Sequence, residues 1–254
     1  MAAHLANHPP GYLPPGYASP EKQSLVDYSR FTNLSTRSKI ILAVVFVIFA
    51  STNLAFFRLA SILSRPQPEK RKKGDSPAHL MVVLGSGGHT AEMLNILANV
   101  NIRDFNRRTY VISSGDGFSA QKAKDFESEH GSLDYEIVTV RRARRVHQSM
   151  FTAPLFSLLC LYDSLSILST TPDLILTNGP GTGVCVVFAA ILRLFFGADR
   201  SKMRSVYIES WARVKSLSLS GRILKPFVDR FIVQWPELVE VEGKRVEYAG
   251  HIIS

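Results

Sequence analysis

Three glycines and a histidine fall within five residues in Gly85-Ser86-Gly87-Gly88-His89, just after the apolar run Val82-Val83-Leu84 and before Thr90 and a helix-forming stretch. A strand, a glycine loop and a helix in this order make a phosphate cradle. Glycine lets the backbone approach the ligand, and the helix N-terminal amides supply oriented donors. The familiar nucleotide patterns do not fit. A dinucleotide fingerprint needs glycine or alanine where Thr90 stands, and an acidic residue at the end of the second strand, which here ends in Ser113-Ser114. A Walker loop needs Gly-Lys-Ser/Thr, which is absent. A purely structural glycine turn stays open. His89 opens the helix, where it can donate to a phosphate, take a proton from a substrate hydroxyl, or cap and pack.

Further loops fall at the same end of the predicted strands. Asn178-Gly179-Pro180-Gly181-Thr182-Gly183 is a second glycine loop, and two such loops on neighbouring strand ends face one crevice. Glu209, in Tyr207-Ile208-Glu209-Ser210, can bind sugar hydroxyls, orient a base, or serve as a helix N-terminal acid. Arg141, Arg142, Arg144 and Arg145 make either a solvated loop or a site for a diphosphate or lipid head group, which suits the planar guanidinium fork. No aromatic residues are interleaved with them, which disfavours nucleic acid. Cys160 and Cys185 lie in apolar runs without metal spacing, so buried free thiols are expected, with no disulfide and no metal site.

These loops need a frame. From residue 79 onward, short apolar runs at 79–84, 109–113, 135–140, 173–177, 204–208 and 230–234 alternate with helical stretches at 90–99, 118–130, 149–169, 182–196 and 217–229. The alternation predicts an α/β fold, a Rossmann-like doubly wound parallel sheet with helices on both faces and its binding loops at the carboxyl ends of the strands. The segment 149–169 is apolar nearly all round and reads as a buried crossover helix or one lying at a membrane surface.

The chain has 254 residues, a formal net charge of +9 and a mean hydropathy of +0.07, high for a soluble protein. Residues 1–38 carry no hydrophobic period and read as a disordered tail. Residues 39–63 hold an apolar run long enough to span a bilayer, too far from the start for a cleaved signal peptide. Residues 64–78 are a basic linker suited to an anionic leaflet. The flank after the span, with Arg58, Arg65, Lys70, Arg71, Lys72 and Lys73, is more basic than the one before it. Residues 79–254 are therefore expected on the cytosolic side, and the Asn33 sequon on the lumenal side.

The segments GSGGHTAEML, PDLILTNGPGTG, YIES, LSLSGRIL and FIVQWP, in this order across residues 79–254, resemble one family. It is the membrane-anchor subunit of the eukaryotic dolichol-linked N-acetylglucosaminyltransferase, the asparagine-linked glycosylation family Alg fourteen. More distantly, the domain is similar to the N-terminal, acceptor-binding half of MurG-type GT-B glycosyltransferases. The resemblance implies half of a GT-B fold, presenting dolichyl-diphosphate-N-acetylglucosamine for addition of the second N-acetylglucosamine of the N-glycan precursor. Gly85, Ser86, Gly87, Gly88, Thr90, Asn178, Gly179, Gly181, Thr182 and Gly183, with the four arginines, would hold the lipid diphosphate. His89 and Glu209 are the candidate catalytic residues. Of the MurG-type His-Glu-Gln-Asn motif, only the Glu carries over to Ile208-Glu209-Ser210. The resemblance also implies a soluble, donor-binding catalytic partner of the Alg thirteen type, which would carry the UDP-N-acetylglucosamine, so this chain needs no cofactor. About twenty residues follow the sixth strand, too few for a second Rossmann domain. Tyr248, Gly250, His251, Ile252 and Ile253 are expected to dock the partner. The location implied is the endoplasmic reticulum membrane, or the nuclear envelope, with other early dolichol-pathway transferases as further partners. A self-sufficient membrane glycosyltransferase and a pure scaffold are the alternatives.

Overall fold

A computed structural model describes residues 35–66, 78–130, 134–143, 153–179 and 181–250. The expected tail, most of the basic linker, Arg144, Arg145, Pro180 and His251 to Ile253 lie outside the described residues. The chain divides into two compact units, Met1–Phe57 and Arg58–Ser254.

In the first unit, helix α1 (Thr36–Leu63) begins where the Ser35 hydroxyl accepts the Ser38 amide at 3.2 Å, an N-cap bond. From Ile40 to Phe57 its large apolar side chains face outward on every side. No globular helix pays that exposure in water. By length and composition this helix can cross a membrane. Its last turn belongs to the second unit, where Ile62 is buried in the core.

The second unit is built on seven parallel strands in the order β3-β2-β1-β4-β5-β6-β7. They are β1 (Ala78–Val83), β2 (Phe105–Ser113), β3 (Tyr135–Val140), β4 (Leu174–Thr177), β5 (Arg204–Ile208), β6 (Arg230–Val233) and β7 (Glu247–Tyr248). All six residues of β1 are buried, the pattern of a parallel strand covered on both faces. Helices α2 (Gly88–Ala98) and α3 (Gly117–His130) bring Met93, Leu97 and Phe126 onto one face. Helices α4 (Ala153–Ile167) and α5 (Gly181–Phe195) bring Cys160, Val186 and Leu194 onto the other. Around β6, Leu217, Leu224 and Leu238 build a third cluster with α6 (Leu219–Leu224) and α7 (Pro236–Glu242). Strand order reverses between β1 and β4, so the loops leaving those strands open a crevice at the carboxyl edge.

The expected Rossmann-like sheet is present with its six strands, and the differences have local causes. Strand β2 starts at Phe105 rather than residue 109, because Arg108 is buried and paired instead of solvated. Helix α6 ends at Leu224, just before Pro226, which cannot continue it. The short α7 and β7 complete the far edge. Their signals are Pro236 at the helix start and Gly243 at its end, where φ is 76°. Together with the 3-10 turn Leu168–Thr170 that follows it, helix α4 is also long and apolar enough to cross a membrane. Here it packs on α5, with Cys160 and Ser164 buried while Leu155, Leu158 and Tyr162 point outward.

Two arginine clusters brace the sheet at positions where the sequence reads as polar. Arg108 forks onto Glu127 at 2.6 and 2.9 Å, and the Tyr110 hydroxyl donates to the same carboxylate at 2.6 Å. Burial, then that carboxylate, holds the Tyr110 phenol above its ordinary range. Arg65 donates to the Arg200 and Lys202 carbonyls at 3.0 and 2.9 Å and to Asp229 at 2.9 Å, so this linker residue is not free for lipid head groups. Glu127→Ala leaves the Arg108 charge buried without a counter-ion and is expected to lower the unfolding free energy by about 3–5 kcal/mol. Urea unfolding of the purified chain measures this, and a loss below about 1 kcal/mol, the scale of an exposed pair, contradicts it.

Candidate functional site

The crevice at the switch point holds a cavity of about 1090 Å³. Gly85 and Ser86 from the loop after β1, His89 from the start of α2, Asn178 and Gly179 from the loop after β4, and Gly181, Thr182 and Gly183 from the first turn of α5 form its polar side. Leu158, Leu161, Phe188, Leu219 and Ile223 form an apolar wall. The structure therefore brings the two glycine loops together. A Cβ on Gly85 would come within 2.7 Å of His89 Cβ and 3.3 Å of Gly179 Cα, so only glycine permits this approach. Gly87, at φ 64°, takes the left-handed turn that starts α2.

The remaining candidates divide. Arg142 lines the cavity, while Arg141 is drawn off by Asp163 on α4, donating to it from Nε and Nη2 at 2.8 and 2.7 Å. Thr90 is fully buried. Its hydroxyl contacts the Gly85 carbonyl and lies 2.6 Å from Ser119 Oγ, bracing the loop from beneath rather than facing the crevice. Thr182 Oγ1 meets Ser113 Oγ at 2.8 Å. Tyr248 is on the edge strand β7, and Gly250 has φ 79°.

Glu209 is 1% exposed. Its carboxylate accepts from Ser218 N and Oγ at 3.0 and 3.1 Å and from Ser210 N at 3.2 Å, and the same Ser218 hydroxyl caps α6 by accepting Gly221 N at 2.9 Å. Glu209 thus holds the residue that caps α6 without itself opening a helix. Burial nevertheless holds its carboxyl above the usual range, against the bonds from Ser218 and Ser210.

Three residues at this edge were not singled out from the sequence. Arg213 lines the cavity. Glu92 and Gln234 meet behind His89, with Gln234 Nε2 donating to Glu92 Oε1 at 2.9 Å. Burial pushes the Glu92 carboxyl up, but facing His89 and accepting from the Trp211 amide, Ser210 and Gln234 outweighs it, leaving the carboxyl below its ordinary range. The spacing His89-x-x-Glu92, one helical turn apart, is the signal that could have found it.

A doubly wound parallel sheet with a glycine-lined crevice at its switch point defines a Rossmann-like α/β domain of the ligand-binding kind. The family model "Alg14: Oligosaccharide biosynthesis protein Alg14 like" matches residues 80–252, more than half of the chain. The chain is 44% identical over 193 residues to the UDP-N-acetylglucosamine transferase subunit alg14 of Schizosaccharomyces pombe, covering 74% of this chain and 90% of that protein. It is 37% identical over 209 residues to the subunit ALG14 of Rattus norvegicus, covering 79% and 93%. The chain belongs to the Alg14-like family. Among solved structures it is similar to an Arabidopsis thaliana UGT89C1 complexed with UDP-L-rhamnose, with a TM-score of 0.47 and 12% identity over 70% of this chain and 53% of that one. A putative UDP-N-acetylglucosamine 2-epimerase from Listeria monocytogenes gives 0.46 and 11% over 67% and 44%. The chain thus spans about half the length of these structures, and at such TM-scores they add nothing to what the strand order already shows.

Gly85→Ala forces the two loops apart and is expected to cost about 1–3 kcal/mol of stability. Ser86→Ala in the same loop, at an exposed position, should leave thermal unfolding nearly unchanged, and equal losses from both substitutions would refute the close-approach argument. Glu209 adds a pH dependence. A folded-state carboxyl pKa above the unfolded value means its contribution is fully present below the unfolded value and lost as pH rises through the folded one. Glu209→Gln should flatten that decline from the ordinary carboxylate range upward in a series of urea titrations, and an unchanged slope would rule it out.

Proposed function

We propose that this chain is the membrane-anchored, acceptor-binding subunit of a UDP-N-acetylglucosamine transferase; its relatives' names support a transferase subunit. The acceptor is dolichyl-diphosphate-N-acetylglucosamine, and the product carries the second N-acetylglucosamine of the N-glycan precursor. The observation that carries this reading is the crevice itself. It has two backbone-lined glycine loops on one side and an apolar wall on the other, in a protein with a membrane-length helix. A lipid diphosphate needs both surfaces. The amides at Gly85–Gly88 and Gly181–Gly183, with Arg142, would neutralise the diphosphate. Leu158, Leu161 and Ile223 would take the first units of the isoprenoid.

On this reading the domain is half of a GT-B fold. A separate soluble subunit of the Alg thirteen type holds UDP-N-acetylglucosamine, is recruited to the endoplasmic reticulum membrane, and docks through the C-terminal segment from Tyr248 and Gly250 onward. The domain faces the cytosol, as the basic flank after α1 favours. His89, on the cavity wall and 36% exposed, takes the proton of the acceptor hydroxyl. The hydroxyl oxygen bonds to the anomeric carbon of the donor as the bond to UDP breaks, and UDP leaves with the electron pair and inversion. Glu209, spent on Ser218, shapes the crevice from behind.

The full chain, reconstituted with its donor-binding partner in detergent and assayed for transfer to the lipid acceptor, tests this. His89→Ala should lower kcat about 10²–10⁴-fold with co-purification intact. An intact rate would leave the chain a scaffold, and turnover by the chain without a partner would end the half-enzyme reading.

A further inference from the structure

Glu92 stands one turn beyond His89 on α2, with its side chain 9% exposed. Its Oε1 accepts from the Trp211 amide at 2.5 Å and from Gln234 Nε2 at 2.9 Å. Its Oε2 faces Asn178 Nδ2 at 3.4 Å and His89 Nδ1 at 3.6 Å. His89 Nδ1 is buried and makes no hydrogen bond. The ring nevertheless lies on the cavity wall, so Nε2 is the nitrogen that a ligand can reach. Among the described residues, His89 is the one basic side chain at ion-pair distance from Glu92.

A neutral imidazole holds one proton, and the partner of one nitrogen decides the state of the other. A carboxylate can only accept. Facing Nδ1, it therefore selects the form with Nδ1 protonated and Nε2 bare. The 3.6 Å separation is longer than a hydrogen bond, and contacts of this kind tighten when a ligand fills the site. After proton transfer the same carboxylate opposes the imidazolium charge.

We propose that Glu92 is the positioning residue for His89. Through Oε2 it fixes the tautomer that can take the acceptor proton, and through Oε1 it ties that ring to the loops after β5 and β6. This rests on His89 acting as the base, as argued under Proposed function. Two features separate it from simple packing. The second oxygen is already satisfied by Trp211 and Gln234, so the carboxylate cannot swing freely. Asn178, which donates to Oε2, also donates to the His89 carbonyl at 2.9 Å, holding the residue from both sides.

The full chain with its donor-binding partner, assayed with lipid acceptor and UDP-sugar, tests this through a double-mutant cycle. In Glu92→Gln the side-chain amide can donate to Nδ1, which drives the ring proton to Nε2. The expected result is a fall in kcat of about 10²-fold with the acceptor KM unchanged. In a His89→Ala background the same substitution should cost nothing more, because the two residues act as one unit. Losses that multiply in the double variant, or an unchanged kcat for Glu92→Gln beside a strong His89→Ala defect, would overturn the inference. An intact rate for His89→Ala alone removes the base assignment and the inference with it. If Glu92→Gln fails to co-purify, Glu92→Asp takes its place in the cycle. It keeps the charge but withdraws it by one methylene, and should lower kcat only where His89 is present. A loss that also appears without His89 would overturn the proposal.

Discussion

The Glu92 carboxylate sits where the carboxyl ends of four strands converge, and it is bonded or opposed by a group from each of the segments around it. His89 comes from the first turn of α2, which follows β1, Asn178 from the loop after β4, Trp211 from the loop after β5 and Gln234 from the end of β6. Parallel strands give these loops no hairpin partners, so something else must hold their tips in register. A mostly buried anion that draws on several neutral donors does this without a buried cation. The Trp211–Trp235 pair, with ring centroids 4.6 Å apart and Trp235 Nε1 bonded to the Trp211 carbonyl at 2.7 Å, closes the same edge from above.

The sheet itself was legible because fully buried parallel strands read as short apolar runs, as Leu80 to Val83 do. The pairing of the two glycine loops was legible too, since both follow such runs. What the sequence could not supply is the direction of each side chain. Arg141 sits in a cluster that looks made for phosphate, yet its fork is occupied by Asp163, twenty-two positions onward. Thr90 belongs to the loop motif but points into the core, held by Ser119. Glu92 reads as an ordinary polar helix residue, and its importance comes from partners as far away as Gln234, 142 positions along the chain. The two residues of β7 have no pattern of their own and exist through pairing with β6.

Helix α5 shows how one element serves both stability and the site. Its first turn, Gly181-Thr182-Gly183, lines the crevice, while Val186, Ala190 and Leu194 are buried in the core along the rest of its length. A helix fixed this firmly at its far end gives the glycine turn a rigid base, which suits a ligand site better than a free loop does.

Arg65 carries a consequence for how the chain is made. It follows the membrane-length helix directly, yet its counter-ion Asp229 is 164 residues further on. At translation rates of roughly 5–20 residues per second, Asp229 is synthesised on the order of 10–30 s after Arg65. For most of that interval the guanidinium has none of its final partners, since the carbonyls of Arg200, Lys202 and Met203 lie 135, 137 and 138 residues after it. The stem joining the apolar helix to the sheet therefore locks last, after β5 and β6 are in place. Such a long-range closing contact makes final docking of the stem a slow, post-synthetic step.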